Sequence, residues 1–216
     1  MIVVIQCAAG KKEDAGSLWS RDGRRVMFVA RPFEAPRSDD IIYAHPDDPS
    51  DRGGTWRDVL LAYNDEPAGN PQKLLPAISL YSNPAYKLLA AAVPADRLFI
   101  LSAGWGLIPA GFLTPVYDIT FSTKADGWKR RRKCDSYADL RLLPANGEGI
   151  LFFGGKDYLP LFDELTKDAG GVRTAIYKAV VPPQAPGCRL VQYETKSRTN
   201  WHYEAVRAWL SGKLTL

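Results

Sequence analysis

Four clusters of side chains in this chain have the types and spacing to do chemistry. In the first, Gly104-Trp105-Gly106 flanks a large aromatic with two glycines and leads on to Tyr117-Asp118. Glycines placed there let the backbone turn sharply and leave room for a ligand to approach closely. The second, Gly154-Gly155-Lys156-Asp157-Tyr158, repeats that pattern with a further carboxylate and tyrosine. The third is cationic: Lys124, then Trp128-Lys129-Arg130-Arg131-Arg132-Lys133. Consecutive basic residues beside a tryptophan fit a phosphate-backbone contact with a ring available to stack or wedge. The fourth, Asn200-Trp201-His202-Tyr203, concentrates polar and aromatic groups at a helix start and suits a planar heterocycle. Lys11 and Lys12, after Gly10, add a turn able to hold a phosphate or carboxylate, without the spacing of a P-loop. Competing structural readings stand beside these: a solvated turn at Lys11-Lys12, a solvated basic helix face at 129–133, Asp118 as a turn or cap residue, and Asn200 capping a helix over a packed Trp201.

The elements that must position these groups follow from apolar patterning. Leu98-Phe99-Ile100-Leu101 is the run expected of a strand buried on both faces. Pro109 and Pro115 then steer an extended segment that presents Tyr117 and Asp118 before a second strand-like run, Ile119-Thr120-Phe121. In an open α/β sheet, ligands sit where such a strand gives way to a glycine-rich loop. Residues 2–8 read as a first buried strand, and Cys7 at its end as a small buried hydrophobe. A helical stretch is expected from about Leu74, with Ser82 or Asn83 capping a helix that opens on Pro84. Ile150-Leu151-Phe152-Phe153 precedes the second glycine loop and a helix over about 160–169. A strand near 174–180, a proline-rich linker at 182–186, a strand over 188–193 and a last helix over 203–210 complete the chain. Residues 17–31 read as a hairpin on Asp22-Gly23. Residues 32–56 form a long irregular excursion leading to a helix near 55–63. The expectation is a single α/β domain over 1–216, with a mostly parallel central sheet, flanking helices and an N-terminal hairpin and loop insertion at about 17–70.

Composition narrows the classes. The chain is 46% hydrophobic and 24% charged, with a net charge of +4 too small to argue for a nucleic-acid partner by itself. No apolar stretch approaches the roughly 20 residues of a membrane helix, and the start lacks the basic segment of a signal peptide. A cytoplasmic protein with no membrane partner is expected. Cys7, Cys134 and Cys188 lie far apart with no CxxC pair, which argues against structural zinc and for reduced thiols. His45 with Asp47 and Asp48 reads as capping and turn chemistry rather than a metal cluster. No metal or cofactor is expected.

The string Leu101-Ser102-Ala103-Gly104-Trp105-Gly106-Leu107-Ile108-Pro109, followed by Leu113-Thr114-Pro115-Val116-Tyr117-Asp118, resembles the core motif of the YaaA family of peroxide-stress proteins. It is more similar still to an uncharacterised relative group with the pattern SAxxGL…PYD. That group also opens with a strand, a cysteine and Gly-Lys-Lys, as Cys7, Gly10, Lys11 and Lys12 do, and has a helix start like Leu80-Tyr81-Ser82 to Tyr86. The resemblance covers residues within 2–12 and 80–121, and departs from the pattern by placing Val116 between the proline and the tyrosine.

This resemblance implies a DNA-binding, damage-linked protein with an α/β core distantly similar to uracil-DNA glycosylases. The implied activity is excision of a modified or damaged base, in stress or phage defence. Asp118 is then the first choice, and Asp157 the second, for the carboxylate that stabilises positive charge on the sugar and orients water. Gly104, Trp105, Tyr117 and Tyr158 would wall in a flipped base, and Asn200 and His202 would hydrogen-bond its edge. Lys11, Lys12, Trp128, Lys129, Arg130, Arg131, Arg132 and Lys133 would hold the DNA. A non-enzymatic DNA-binding protein and an enzyme on free nucleosides or nucleotides are the alternatives.

Overall fold

The computed structural model describes residues 1–12, 14–65 and 69–216. The chain opens with β1 (Ile2–Gln6), then β2 (Leu18–Trp19), β3 (Arg25–Val29), β4 (Ile41–Ala44) and helix α1 (Trp56–Asp65). Next come β5 (Leu75–Pro76), α2 (Pro84–Ala92), β6 (Leu98–Ser102), β7 (Gly106–Pro109), β8 (Leu113–Thr114) and β9 (Tyr117–Asp118). The last part holds β10 (Leu140–Arg141), β11 (Ile150–Phe153), α3 (Leu159–Thr166), β12 (Arg173–Tyr177), β13 (Cys188–Gln192) and α4 (Trp201–Leu210).

Seven of these strands form the central sheet in the order β10-β7-β6-β1-β11-β12-β13. Every neighbouring pair runs parallel except the β6–β7 hairpin. The expected mostly parallel α/β sheet is therefore present. Its central strands are apolar up to Gln6 and Ser102 at the carboxyl ends of β1 and β6, because both faces are covered. The two adjacent phenylalanines of β11 show this alternation. Phe152 stacks on Phe162 of α3, with ring centroids 4.5 Å apart, while Phe153 meets Trp209 of α4 on the other face at 5.6 Å. Helix α2 shares the α4 face, where Tyr86 meets Tyr203. Asn83 caps α2 by accepting a hydrogen bond from the Ala85 N–H at 2.9 Å, and Pro84 occupies the first turn. From β1 the chain crosses to β6 on one side and later returns to β11 on the other. The strand order thus reverses at the β1–β11 pair, the point where open α/β sheets form their ligand crevice.

The insertion is more regular than expected. β2 and β3 form the Asp22-Gly23 hairpin, with Gly23 at φ +83°, and β4 then pairs parallel to β3. β9 joins the same sheet, with Phe28 opposite Tyr117 and Val29 opposite Asp118. The strand at this point is thus 117–118 rather than the expected 119–121. Thr120 turns away to bridge Arg130 instead. Arg57 of α1 locks the insertion to the central sheet. It pairs with Asp47 at 2.5 Å and donates to the carbonyls of Gly104 and Trp105 at 3.1 and 3.2 Å. The helical stretch expected from Leu74 is instead β5 followed by a short turn. Pro76 holds Leu75 extended and cannot continue a helix from it.

Two further expectations are corrected. The basic run is not a helix face: a single 3-10 turn at Gly127–Lys129 gives way to extended chain at Arg130. The Gly104–Gly106 loop is a tight turn between β6 and β7. Gly106 lies at φ +88° against the backbone of Leu140, where a side chain would collide. Among the described residues no helix is long and apolar enough to cross a membrane.

Candidate functional site

A cleft of about 710 Å³ opens at the carboxyl ends of β1 and β11. Its floor comes from Gln6, Cys7 and the small residues up to Gly10. One wall is the loop after β11, with Gly155, Asp157 and Tyr158, and a second is residues 120–124 after β9. The start of α2 contributes Ser82 and Asn83, and the start of α4 contributes residues 198–203. The packed ring of Phe152 leaves no space for a side chain at Gly154, so the chain can turn there only as glycine. The Gly155 N–H donates to Gln6 Oε1 at 2.6 Å, joining the two strand ends across the floor.

Beneath the floor lies a network of buried hydroxyls. Cys7 Sγ is 3.1 Å from Tyr158 Oη and accepts from the Ala103 N–H at 3.3 Å. Tyr117 Oη lies 2.9 Å from Tyr81 Oη and accepts from Ser102 Oγ at the same distance. Ser102 Oγ in turn accepts the N–H groups of Gly104 and Trp105. Tyr86 donates to the Gln6 carbonyl at 2.7 Å and meets Tyr203. Burial pushes the Tyr81, Tyr86, Tyr117 and Tyr158 phenols well above their ordinary range, so they act as neutral hydroxyls. Lys11 Nζ sits 4.1 Å over the Tyr117 ring. Burial lowers its pKa, against the opposing charges of Cys7 and Asp118.

The two candidate carboxylates do not share a pocket. Asp157 lines the cleft, is the only carboxylate among the described lining residues, and pairs with Lys133 at 3.1 Å. Asp118 lies outside the lining and pairs with Lys129, also at 3.1 Å. Tyr158, Asn200 and His202 line the cleft. His202 is 4% exposed, and burial pushes its imidazole pKa down to about 4. It is neutral at pH 7.

Gly104, Trp105 and Tyr117 lie in the core instead. Trp105 is fully buried, edge-on to Phe28 at 4.9 Å, and offers no free face to a base. Its placement follows from the β6–β7 hairpin, which folds the glycine loop inward. Tyr117 is likewise enclosed, with its hydroxyl already used. The basic run divides. Arg131 is buried, bonded to both Asp139 oxygens at 2.9 and 2.6 Å and to the Ala103 carbonyl at 2.9 Å, and stacked on Tyr137. Buried Arg131 is thus a clamp under the glycine loop rather than a phosphate contact. The Arg130 Nε is also buried. Lys129 bridges Asp118 and Asp126, and Trp128 packs edge-on to Tyr43. Arg132 is exposed. Lys12 is half-buried, and its N–H bonds the Leu80 carbonyl.

Gln6, Ser102, Tyr81, Tyr86 and Arg198 are site residues that sequence reasoning passes over. For Tyr86 the signal was the helix start at Asn83-Pro84, which places its hydroxyl on the Gln6 carbonyl of β1, while Tyr81, before the helix, meets Tyr117. Arg198 sits within a polar segment with no local pattern to mark it. No family model matches the chain, and neither does any curated protein or solved structure. The class defined by fold and geometry is an α/β protein with an open cleft at its strand-order reversal.

Proposed function

We propose that this chain is a DNA N-glycosylase that takes a flipped modified or damaged nucleotide into the cleft, acting in the cytoplasm in stress or phage defence. The observation that carries this reading is the composition of the cleft. One carboxylate, Asp157, faces it among hydroxyls, aromatic rings and a neutral imidazole, with Lys124 and Arg198 at its edges. Tyr158, Phe121 and Trp201 wall the base, while Asn200 bonds its edge. As the C1′–N bond breaks, its electron pair goes to the base nitrogen, which takes a proton from solvent water. Asp157 stabilises the positive charge on the sugar and accepts a proton from the water that adds to C1′. Electrostatic groups of this kind are worth about 10²–10³ in rate. Purified protein incubated with duplexes carrying a panel of modified bases is expected to create alkali-labile abasic sites on at least one. No abasic site on any of them would overturn the reading.

A second reading, an enzyme on free nucleosides or nucleotides, is favoured by one observation: Lys129, Arg131 and Lys133 already pair with carboxylates of the same chain. Replacing the exposed Arg132 with alanine distinguishes the two. DNA cleavage falls and its salt dependence becomes shallower under the first reading, whereas nucleoside turnover is unchanged under the second.

A further inference from the structure

The start of α4 leaves several donors without partners. Asn200 stands at φ +58° and its side chain makes no cap hydrogen bond. Among the described residues no backbone acceptor takes the N–H of Trp201 or His202. These are two of the donors a helix leaves open at its first turn, where the aligned peptide dipoles concentrate positive potential. His202 lines the cleft, is 96% shielded from solvent by its 4% exposure, and its Nε2 has no hydrogen-bond partner. A buried imidazole nitrogen left unpaired costs free energy that a ligand atom would recover. Arg198 and Lys124 line the same cleft, and neither is in an ion pair among the described residues. By contrast, the cations at 129, 131 and 133 are consumed internally.

We infer that the N-terminus of α4, with Arg198, Lys124 and His202, is the phosphate subsite of the cleft, holding a phosphate of the bound nucleotide. Open N–H donors, a guanidinium and an ammonium lining one cleft of about 710 Å³ are the chemistry of phosphate recognition. The assignment moves phosphate binding from the 129–133 run to the start of α4 and Lys124, which line the cleft. It rests on the nucleotide reading of the cleft.

Calorimetric titration of the full chain with inorganic phosphate, 2′-deoxynucleoside 5′-monophosphates and the corresponding nucleosides tests it. The monophosphates are expected to bind about tenfold or more tighter than the nucleosides, the return for charge-assisted hydrogen bonds. Arg198 is exposed, so Arg198→Ala keeps the fold. That variant is expected to lose most of the monophosphate advantage while leaving nucleoside binding unchanged. The His202 ring resonances should shift with monophosphate and not with nucleoside. Equal affinities for the two ligand classes, or an Arg198→Ala variant that keeps the full monophosphate advantage, would overturn the subsite. Phosphate discrimination without base release from any DNA would remove the glycosylase reading and leave the subsite standing. Base release without discrimination would do the reverse.

Discussion

At the scale of single residues, burial decides which titratable groups are free to act. His202 shows this most clearly, because its low pKa has one cause, removal from water. An imidazole held at about 4 in the fold and near 6.5 in the unfolded chain binds fewer protons when folded. Stability therefore rises with pH through that window and is lost as pH falls from 6.5 toward 4. The full span corresponds to about 3 kcal/mol. Urea unfolding at pH 7 and pH 5 should show a larger acid loss for the native chain than for His202→Gln; equal losses would contradict this account. Arg131 and Arg132 are neighbours with opposite fates. Removing one partner of a buried pair costs about 3–5 kcal/mol, so Arg131→Ala, which strands Asp139, should be severely destabilising. Arg132→Ala should change stability by less than about 0.5 kcal/mol. Denaturant midpoints of the two variants measure that contrast directly.

At the scale of elements, two segments with the same local pattern behave differently. Leu98–Ser102 with Gly104-Trp105-Gly106, and Ile150–Phe153 with Gly154-Gly155, are each a buried strand running into glycines. Both strands were legible because their apolar runs report burial on two faces. The fate of each loop was not. β6 pairs back on β7, so its glycines make a hairpin and carry Trp105 into the core, whereas β11 runs on to α3 and leaves its loop open at the sheet end. Strand pairing is a long-range choice that a local pattern of glycines does not encode. The same holds for Tyr117-Asp118, whose conformation is set by β3, some ninety residues upstream. Replacing Gly155 should be tolerated by the backbone, since its nearest neighbour to an added Cβ is Gln6 Oε1 at 3.5 Å. Gly154→Ala should instead force the Phe152 ring out of its stack with Phe162. Because overpacked core sites cost about 1–3 kcal/mol, thermal unfolding of Gly154→Ala and Gly155→Ala should separate the two; equal midpoints would contradict the packing described.

At the scale of the whole molecule, the reversal of strand order between β1 and β11 gathers the ends of three elements that are far apart in sequence: Cys7, Asp157 and His202. The α/β class and the position of most elements were readable, including the Asn83 cap and the Asp22-Gly23 hairpin. The second sheet was not, because its strands are short and one of them, β9, comes from outside the insertion. The cleft chose one of the two candidate carboxylates, and that choice can be measured. Single-turnover base release from a duplex carrying the responsive base should fall by about 10²-fold or more in Asp157→Asn with DNA affinity unchanged, while Asp118→Asn, whose partner Lys129 lies away from the cleft, should retain near-native rates. Full activity in Asp157→Asn, or loss confined to Asp118→Asn, would contradict the account.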